Sequence, residues 1–104
     1  GQRRKGRGTM NNVDIVVCIG NTDNKLTQQE WADFVSRVGD ELKKYEVARH
    51  FFGGSSAWEK WQNVLWLCVI SSEDMDRLIA KLTHIRKDYH QDAIFFLSGD
   101  GNFV

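Results

Sequence analysis

Cysteine and histidine are the side chains of this sequence best suited to nucleophilic catalysis or to metal binding. The chain contains Cys18, Cys68, His50, His84 and His90. No CxxC pair and no zinc-type spacing joins these residues, so the sequence predicts no metal site. A Cys–His nucleophile pair stays open, although a lone cysteine in a strand is typical of a small core residue.

The best candidate binding residues lie in a segment that begins with glycines and serines at Gly53. Trp58 and Trp61 stand three residues apart there, and tryptophan is enriched among the residues that dominate protein-binding energy. The alternative is structural, with one or both tryptophans folding onto a sheet as its cover. The predicted binding residues are Trp58, Glu59, Lys60, Trp61, Gln62 and Asn63.

Three further patterns lack the residues that catalysis or anion binding would need. The turn at residues 20–24 precedes a predicted helix but contains no GxGxxG or Walker pattern. Ser55-Ser56 has no G-x-S-x-G frame. Asp74 and Asp76 are better explained as charges at the start of a helix than as a catalytic pair. We therefore predict a chain without catalytic residues and without a cofactor.

The formal net charge of zero hides an uneven distribution. Residues 1–9 contain four cations and no acid, while residues 10–104 contain ten cations and fourteen acids, a net charge of −4. This basic arm has no apolar side chain to bury and is predicted to be disordered. It either binds nucleic-acid phosphates or, as we prefer, is a solvated or artificial tail before Met10, a candidate initiator. The cations of the arm are Arg3, Arg4, Lys5 and Arg7.

Composition excludes several classes of protein. The longest apolar run, residues 64–70, is too short to span a membrane. Two cysteines are too few for a disulfide scaffold, which indicates a reducing, cytoplasmic setting. With 41% hydrophobic and 27% charged residues, residues 10–104 are predicted to form a single globular domain.

Hydrophobic periodicity predicts two helices. Thr27 and Glu30 form a capping box, which starts a helix with an apolar stripe from Trp31 to Leu42. Ser71 or Ser72 is predicted to cap the second helix. The apolar stripe of the second helix is Met75, Leu78, Ile79, Leu82 and Ile85.

Alternation and composition predict four strands. They cover residues 13–19, 45–52, 64–70 and 93–97, with a loop from Gly53 to Asn63. A turn at Asp100-Gly101 is predicted to return Phe103-Val104 as a short hairpin partner. The order strand, helix, strand, strand, helix, strand predicts an α+β, ferredoxin-like split βαβ sandwich, a four-stranded antiparallel sheet with both helices on one face.

The face of such a sheet that the helices leave open should be polar at alternate positions. The predicted strands at residues 64–70 and 93–97 are apolar on both faces instead. Several exposed apolar side chains would be costly and would promote aggregation. A second copy of the chain, the loop before Val64 or a ligand could cover this face. We prefer a homodimer through the sheet, because symmetric dimers are the commonest oligomers.

One pattern extends over the end of the first strand and the starts of both helices: Ile19-Gly20-Asn21, Leu26-Thr27 with Glu30, Trp31, Phe34, Val35 and Gly39, and Ser71-Ser72-Glu73-Asp74 with Ile79 and Leu82. It resembles the RNA-recognition motif domain, which has the same topology. That family stacks bases on aromatic side chains of its first and third strands. The matching positions here are Cys18, Leu65 and Leu67, none of them aromatic.

A second pattern covers more of the chain: Trp61-Gln62-Asn63 with Trp66, Tyr89-His90-Gln91-Asp92-Ala93-Ile94, and Phe103-Val104. It is similar to small phage and bacterial proteins, to which we attach no activity. The resemblance implies a phage or bacterial origin.

The function predicted from these patterns is binding without catalysis. We expect an intracellular accessory or inhibitory protein that acts through protein–protein contacts and has no membrane association. A net charge of −4 on the folded part suits basic partner surfaces. The alternative function is RNA or single-stranded nucleic-acid binding, which the basic arm and the RNA-recognition-like pattern both favour.

Overall fold

The computed structural model describes residues 11–55 and 62–104 of the chain. Its elements are strand β1 (Asn12–Gly20), helix α1 (Gln28–Tyr45), strand β2 (Glu46–Gly54), strand β3 (Asn63–Ser71), helix α2 (Met75–Asp88) and strand β4 (Phe95–Gly99). A 3₁₀ turn, Ser72–Asp74, leads into α2. The basic arm, residues 1–9, lies outside the described residues, so its disorder stays a prediction.

The strands form an antiparallel sheet in the order β2-β3-β1-β4. The central strands β1 and β3 pair along their whole length, from Asn12 opposite Ser71 to Gly20 opposite Asn63. In both strands, alternate side chains are buried against the helices and the side chains between them are partly buried. The helices therefore cover one face of the sheet, and the predicted ferredoxin-like α+β fold is confirmed.

The capping box sets the start of α1 as predicted. The Glu30 amide donates a hydrogen bond to the Thr27 hydroxyl at 3.1 Å, and the Thr27 amide donates to the Glu30 carboxylate at 2.8 Å. These bonds satisfy backbone groups that have no partner within the helix. The bond from the Thr27 amide also lowers the pKa of the Glu30 carboxyl, because it favours the ionised form.

The hydrophobic core lies between the helices and the sheet. Trp66 of β3 and Phe34 of α1 are its largest fully buried side chains. Burying one apolar side chain of this kind is worth about 1.5–3 kcal/mol, so this layer is the main source of stability. The other core residues are Ile15, Val17, Ile19, Leu26, Trp31, Val38, Leu42, Cys68, Ile70, Leu78, Leu82 and Ile85.

Strand β2 differs from its predicted boundaries at both ends. Tyr45, predicted to begin the strand, is the last residue of α1. Gly53 and Gly54, predicted to form a loop, belong to β2. A Cβ atom at Gly54 would overlap the backbone of Asn63 on the paired strand. Gly54 therefore marks a close approach of two backbones within the sheet rather than the start of a loop.

The predicted serine cap of the second helix is wrong. Ser71 precedes the 3₁₀ turn and makes no side-chain capping hydrogen bond. Asp74, the residue before α2, makes none either and pairs instead with Arg77 at 3.0 Å. Ile79 also departs from its predicted place in the buried stripe, because 41% of its surface is exposed.

The end of the chain departs from the prediction as well. β4 begins and ends two residues later than the predicted strand at residues 93–97. The predicted hairpin return of Phe103-Val104 is wrong, because residues 100–104 form no strand. The Gly101 amide instead donates a hydrogen bond to the Asp14 carboxylate of β1 at 2.6 Å.

Candidate functional site

The predicted binding segment is described only at its base. The Ser55 amide donates to the Asn63 carbonyl, and the Asn63 amide donates to the Ser55 hydroxyl, both at 2.9 Å. Asn63 is exposed beside the segment. The role of the other predicted binding residues stays a prediction, because they lie outside the described residues: Trp58, Glu59, Lys60 and Trp61.

Gln62, the remaining residue of that set, is buried. Its side-chain amide donates to Gln28 of α1 at 2.8 Å, and Gln28 donates back at 3.0 Å. Asn21 donates to the same Gln62 oxygen at 3.2 Å. These hydrogen bonds connect the end of the segment to α1 and to the turn after β1. A substitution of Gln62 would therefore lower the stability of the fold.

The turn at residues 20–24 is built around the buried side chain of Asn21. That side chain accepts a hydrogen bond from the Leu26 amide at 3.0 Å and donates to the Leu26 carbonyl at 3.2 Å. The Asn21 amide donates to the Gln62 carbonyl at 2.8 Å. These contacts favour the interpretation of the turn as a connection rather than an anion site.

Neither cysteine has the lowered thiol pKa that activates a nucleophile. Burial raises the pKa of the Cys68 thiol to about 11, and its hydrogen bond to the Glu46 carboxylate, 3.4 Å away, adds to the shift. Burial also raises the pKa of the Cys18 thiol. The thiolate is the reactive form, and both shifts reduce its population at neutral pH.

The contacts of His84 and His50 are with residues other than the cysteines. The Nε2 atom of His84 is 3.6 Å from the Asp88 carboxylate on the exposed side of α2. His50 contacts the ring of Phe103, with ring centroids 5.5 Å apart. Within residues 11–55 and 62–104, no group of three His, Cys, Asp or Glu side chains is placed to hold a metal ion.

The sheet face that the helices leave uncovered, here called the open face, is apolar across all four strands. Val16 of β1 and Leu67 of β3 pair at its centre. Phe51 of β2 lies beyond Leu67, and Leu97 of β4 lies beyond Val16. These four residues, Phe51-Leu67-Val16-Leu97, form a continuous apolar row from one edge of the sheet to the other.

A second row, Leu65-Cys18-Phe95, lies beside the first. Phe51, Phe95 and Leu97 at the sheet edges are 51%, 56% and 54% exposed, so the described residues leave this face largely uncovered. Cys18, Leu65 and Leu67 lie on this face. The face therefore lacks aromatic side chains on its central strands, where RNA-recognition motif domains stack bases.

The described strands place no Lys or Arg on the open face. Arg49 is the only Lys or Arg within the four strands as described. Its guanidinium lies on the helix side, 2.9 Å from the Glu46 carboxylate and 3.5 Å from the Gly39 carbonyl. Nucleic-acid backbones are bound chiefly by Lys and Arg, and the described strands place neither on this face.

Residues 100–104 cross one end of the open face. After the bond from Gly101 to Asp14 on β1, the chain reaches Phe103, whose ring contacts His50 on β2. Phe103 itself remains 87% exposed, so this C-terminal tail lies over the face without burying it. The sequence pattern suggested a hairpin here, and no local signal indicated this crossing.

A smaller apolar site lies on the helix side of β4 and is here called the α2–β4 cleft. It encloses ≈ 260 Å³. Its lining includes Ile79, Leu82, Ile94 and Phe96, with Arg86 and Asp92 among its polar residues. Ligand pockets for small molecules usually enclose about 300–1,000 Å³, so this cleft is better matched to a single side chain.

No protein-family model matches this chain, and no curated protein matches it. In the described part of the chain, neither helix is long and apolar enough to cross a membrane.

Proposed function

We propose that this chain is a non-enzymatic binding module that works through protein–protein contacts, with a second copy of the chain on its open face. The supporting observation is the apolar row Phe51-Leu67-Val16-Leu97, which runs across all four strands. Covering these side chains removes apolar surface from water, the dominant favourable term in protein association. In this proposal the chain is an accessory or inhibitory protein.

The charge of the face supports this partner. The open face of the described strands has no Lys or Arg, and the carboxylate of Asp14 accepts the Gly101 amide. An apolar partner surface complements the row Phe51-Leu67-Val16-Leu97, and the same row of a second copy is such a surface. A closed dimer is also the commonest arrangement of identical chains.

The dimer should be weak. Four strands about 4.8 Å apart and roughly 17–30 Å long make a face of only ~400 Å², which is small beside the roughly 800 Å² per partner of a standard interface. We therefore expect a dissociation constant in the micromolar range. Sedimentation equilibrium of the full chain over low to high micromolar concentrations measures it.

The matched variants are Phe51→Glu, at one end of the row, and Ala80→Glu, on the exposed side of α2. Both add the same charge to an exposed position. Phe51→Glu should leave the chain monomeric at high micromolar concentration, while Ala80→Glu should dimerise like the wild type. A wild-type chain that remains monomeric throughout this range contradicts the proposal, and so does equal dimerisation of both variants.

The basic arm supports nucleic-acid binding as the second candidate. Four cations within residues 1–9 could release counterions from a phosphate backbone. Retention on single-stranded RNA at low salt that falls steeply with added salt and disappears when residues 1–9 are deleted would favour this function. Retention of the shortened chain equal to that of the full chain would count against the arm.

A further inference from the structure

Strand β4 has one unpaired side. It pairs with β1 on its inner side, and no described strand pairs with its outer side. Its five residues are in regular register with β1, from Cys18 opposite Phe95 to Asp14 opposite Gly99. A regular edge strand presents a row of backbone N–H and C=O groups that can pair with another extended chain.

The opposite edge of the sheet is protected by contrast. β2 has two register irregularities, between Glu46 and Ala48 and between Arg49 and Phe51. Bulges and charged side chains are the usual means of preventing edge pairing. The sequence of β4, Phe95–Gly99, contains no charged residue and no proline. β4 is therefore the edge of the described sheet that is suited to receive an added strand.

The α2–β4 cleft lies where side chains of an added strand would fall on the helix side. Its apolar lining includes Ile79 on α2 and Phe96 on β4. Ile79 is an apolar side chain with 41% of its surface exposed, so it is available to contact an added strand. In recognition by strand addition, main-chain hydrogen bonds give affinity and pockets for alternate side chains give specificity.

Arg86 gives the cleft a preference for charge. Its guanidinium donates to the Gln91 carbonyl at 3.0 Å and makes no ion pair with a carboxylate of the described residues. Asp92, at the same cleft, lies 3.8 Å from the Lys25 ammonium group. The cleft can therefore pair a negative side chain with Arg86 while an apolar side chain fills its interior.

We infer that β4 and the α2–β4 cleft form a peptide-binding site that adds an extended segment of a partner protein to the sheet. The segment has an apolar residue for the cleft and an acidic residue two positions away, on the same side of the strand, for Arg86. This site is separate from the open face, so a chain that fails to dimerise would still have it.

The probe is a blocked peptide of alternating valine and threonine with one leucine and one glutamate on the same side. It is titrated into the isotope-labelled full chain and followed by NMR. We expect a dissociation constant of roughly 100 μM, since a short peptide must be ordered on binding. The β4 amides should shift and become protected from hydrogen exchange, while the β2 amides should not.

Two N-methylated peptides distinguish strand addition from simple apolar contact. Each is methylated on one alternate set of backbone nitrogens, so only one of them loses the donors that face β4. We expect one peptide to lose binding and the other to keep it. Equal affinities for the two peptides, protection of β2 instead of β4, or no binding at millimolar peptide would overturn the inference.

Protein variants test the cleft. Arg86→Gln should lower the affinity for the glutamate peptide by about three- to fivefold, as expected for one exposed ion pair. It should not change the affinity for the same peptide with glutamine in place of glutamate. Lys81→Gln, on the exposed surface of the same helix, should change neither affinity. Ile79→Gln should lower the affinity for both peptides. Equal losses for the two peptides in Arg86→Gln would refute the acidic preference.

Discussion

Among single residues, Cys18 and Cys68 illustrate how position in the sheet sets chemistry. They lie on the neighbouring strands β1 and β3 but face opposite sides. Cys68 is fully buried in the core beside the Glu46 carboxylate, while Cys18 is partly buried on the open face. Burial in a low-dielectric interior disfavours the charged thiolate, so the more deeply buried thiol has the larger shift.

The Cys68 shift predicts a loss of stability at high pH. The folded thiol has a pKa of about 11, raised from 9.0, so the unfolded chain loses this proton first as the pH rises. Its contribution to the free energy of unfolding is therefore full below about pH 9 and is lost as the pH rises towards about 11. Urea unfolding across this range should show a steeper decline for the wild type than for Cys68→Ala.

The matched control is Cys18→Ala, which removes the thiol of the open face and keeps the buried one. Its unfolding free energy should decline with pH nearly as steeply as that of the wild type. If the free energy of unfolding declines equally with pH in the wild type and in Cys68→Ala, the buried thiol contributes nothing to the loss of stability at high pH.

At the scale of helices and strands, sequence patterns predicted the features that depend on residues close together in the chain. The capping box and the apolar stripe of α1 depend on residues three and four apart, and the alternation of β1 depends on residues two apart. The end of β2 depends instead on Gly54 meeting Asn63 of another strand. Neither spacing nor composition reveals such a contact, and Gly53-Gly54 therefore indicated a loop.

The candidate sites were predictable to different degrees. The two-sided apolar character of β3 and β4 pointed to the open face directly. The row Phe51-Leu67-Val16-Leu97 could not be predicted from the sequence, because it depends on the register of four strands. The α2–β4 cleft was missed because Ile79 fits the helical spacing of the core stripe, and only the packing of α2 over the sheet leaves it exposed.

Two glycines in different elements should respond oppositely to the same added methyl group. A Cβ atom at Gly39, inside α1, would lie 3.5 Å from the Trp66 ring, an ordinary contact. Alanine also favours a helix over glycine by up to ~1 kcal/mol, so Gly39→Ala should raise the free energy of unfolding by about that amount. Gly54→Ala should lower it by about 1–3 kcal/mol, because the added atom overlaps the Asn63 backbone.

Denaturant unfolding of the two variants measures this contrast, and each variant serves as the control for the other. A destabilised Gly39→Ala chain would mean that Trp66 cannot accept the added methyl group. An unchanged Gly54→Ala chain would mean that β2 and β3 separate at that point without cost.

For the whole molecule, the two proposed sites divide the sheet between them. The open face is one broad surface, and the outer side of β4 with the α2–β4 cleft is a narrow one. A chain paired face to face with a second copy would still present β4 at the edge of the sheet. The proposed dimer could therefore hold two partner segments, with the open faces buried between the chains.

The C-terminal tail competes with a second copy in this arrangement, because residues 100–104 occupy the Asp14 end of the open face. The Gly101 amide donates to the Asp14 carboxylate at 2.6 Å, and Gly101→Pro removes this donor, so Gly101→Pro should release the tail from β1. One hydrogen bond of roughly 1 kcal/mol would then no longer oppose dimerisation. The dimer dissociation constant should fall about fivefold, whereas Asn102→Ala should leave it unchanged. Sedimentation equilibrium measures both variants against the wild type. A weaker dimer in Gly101→Pro would place the tail within the contact surface instead of in competition with it.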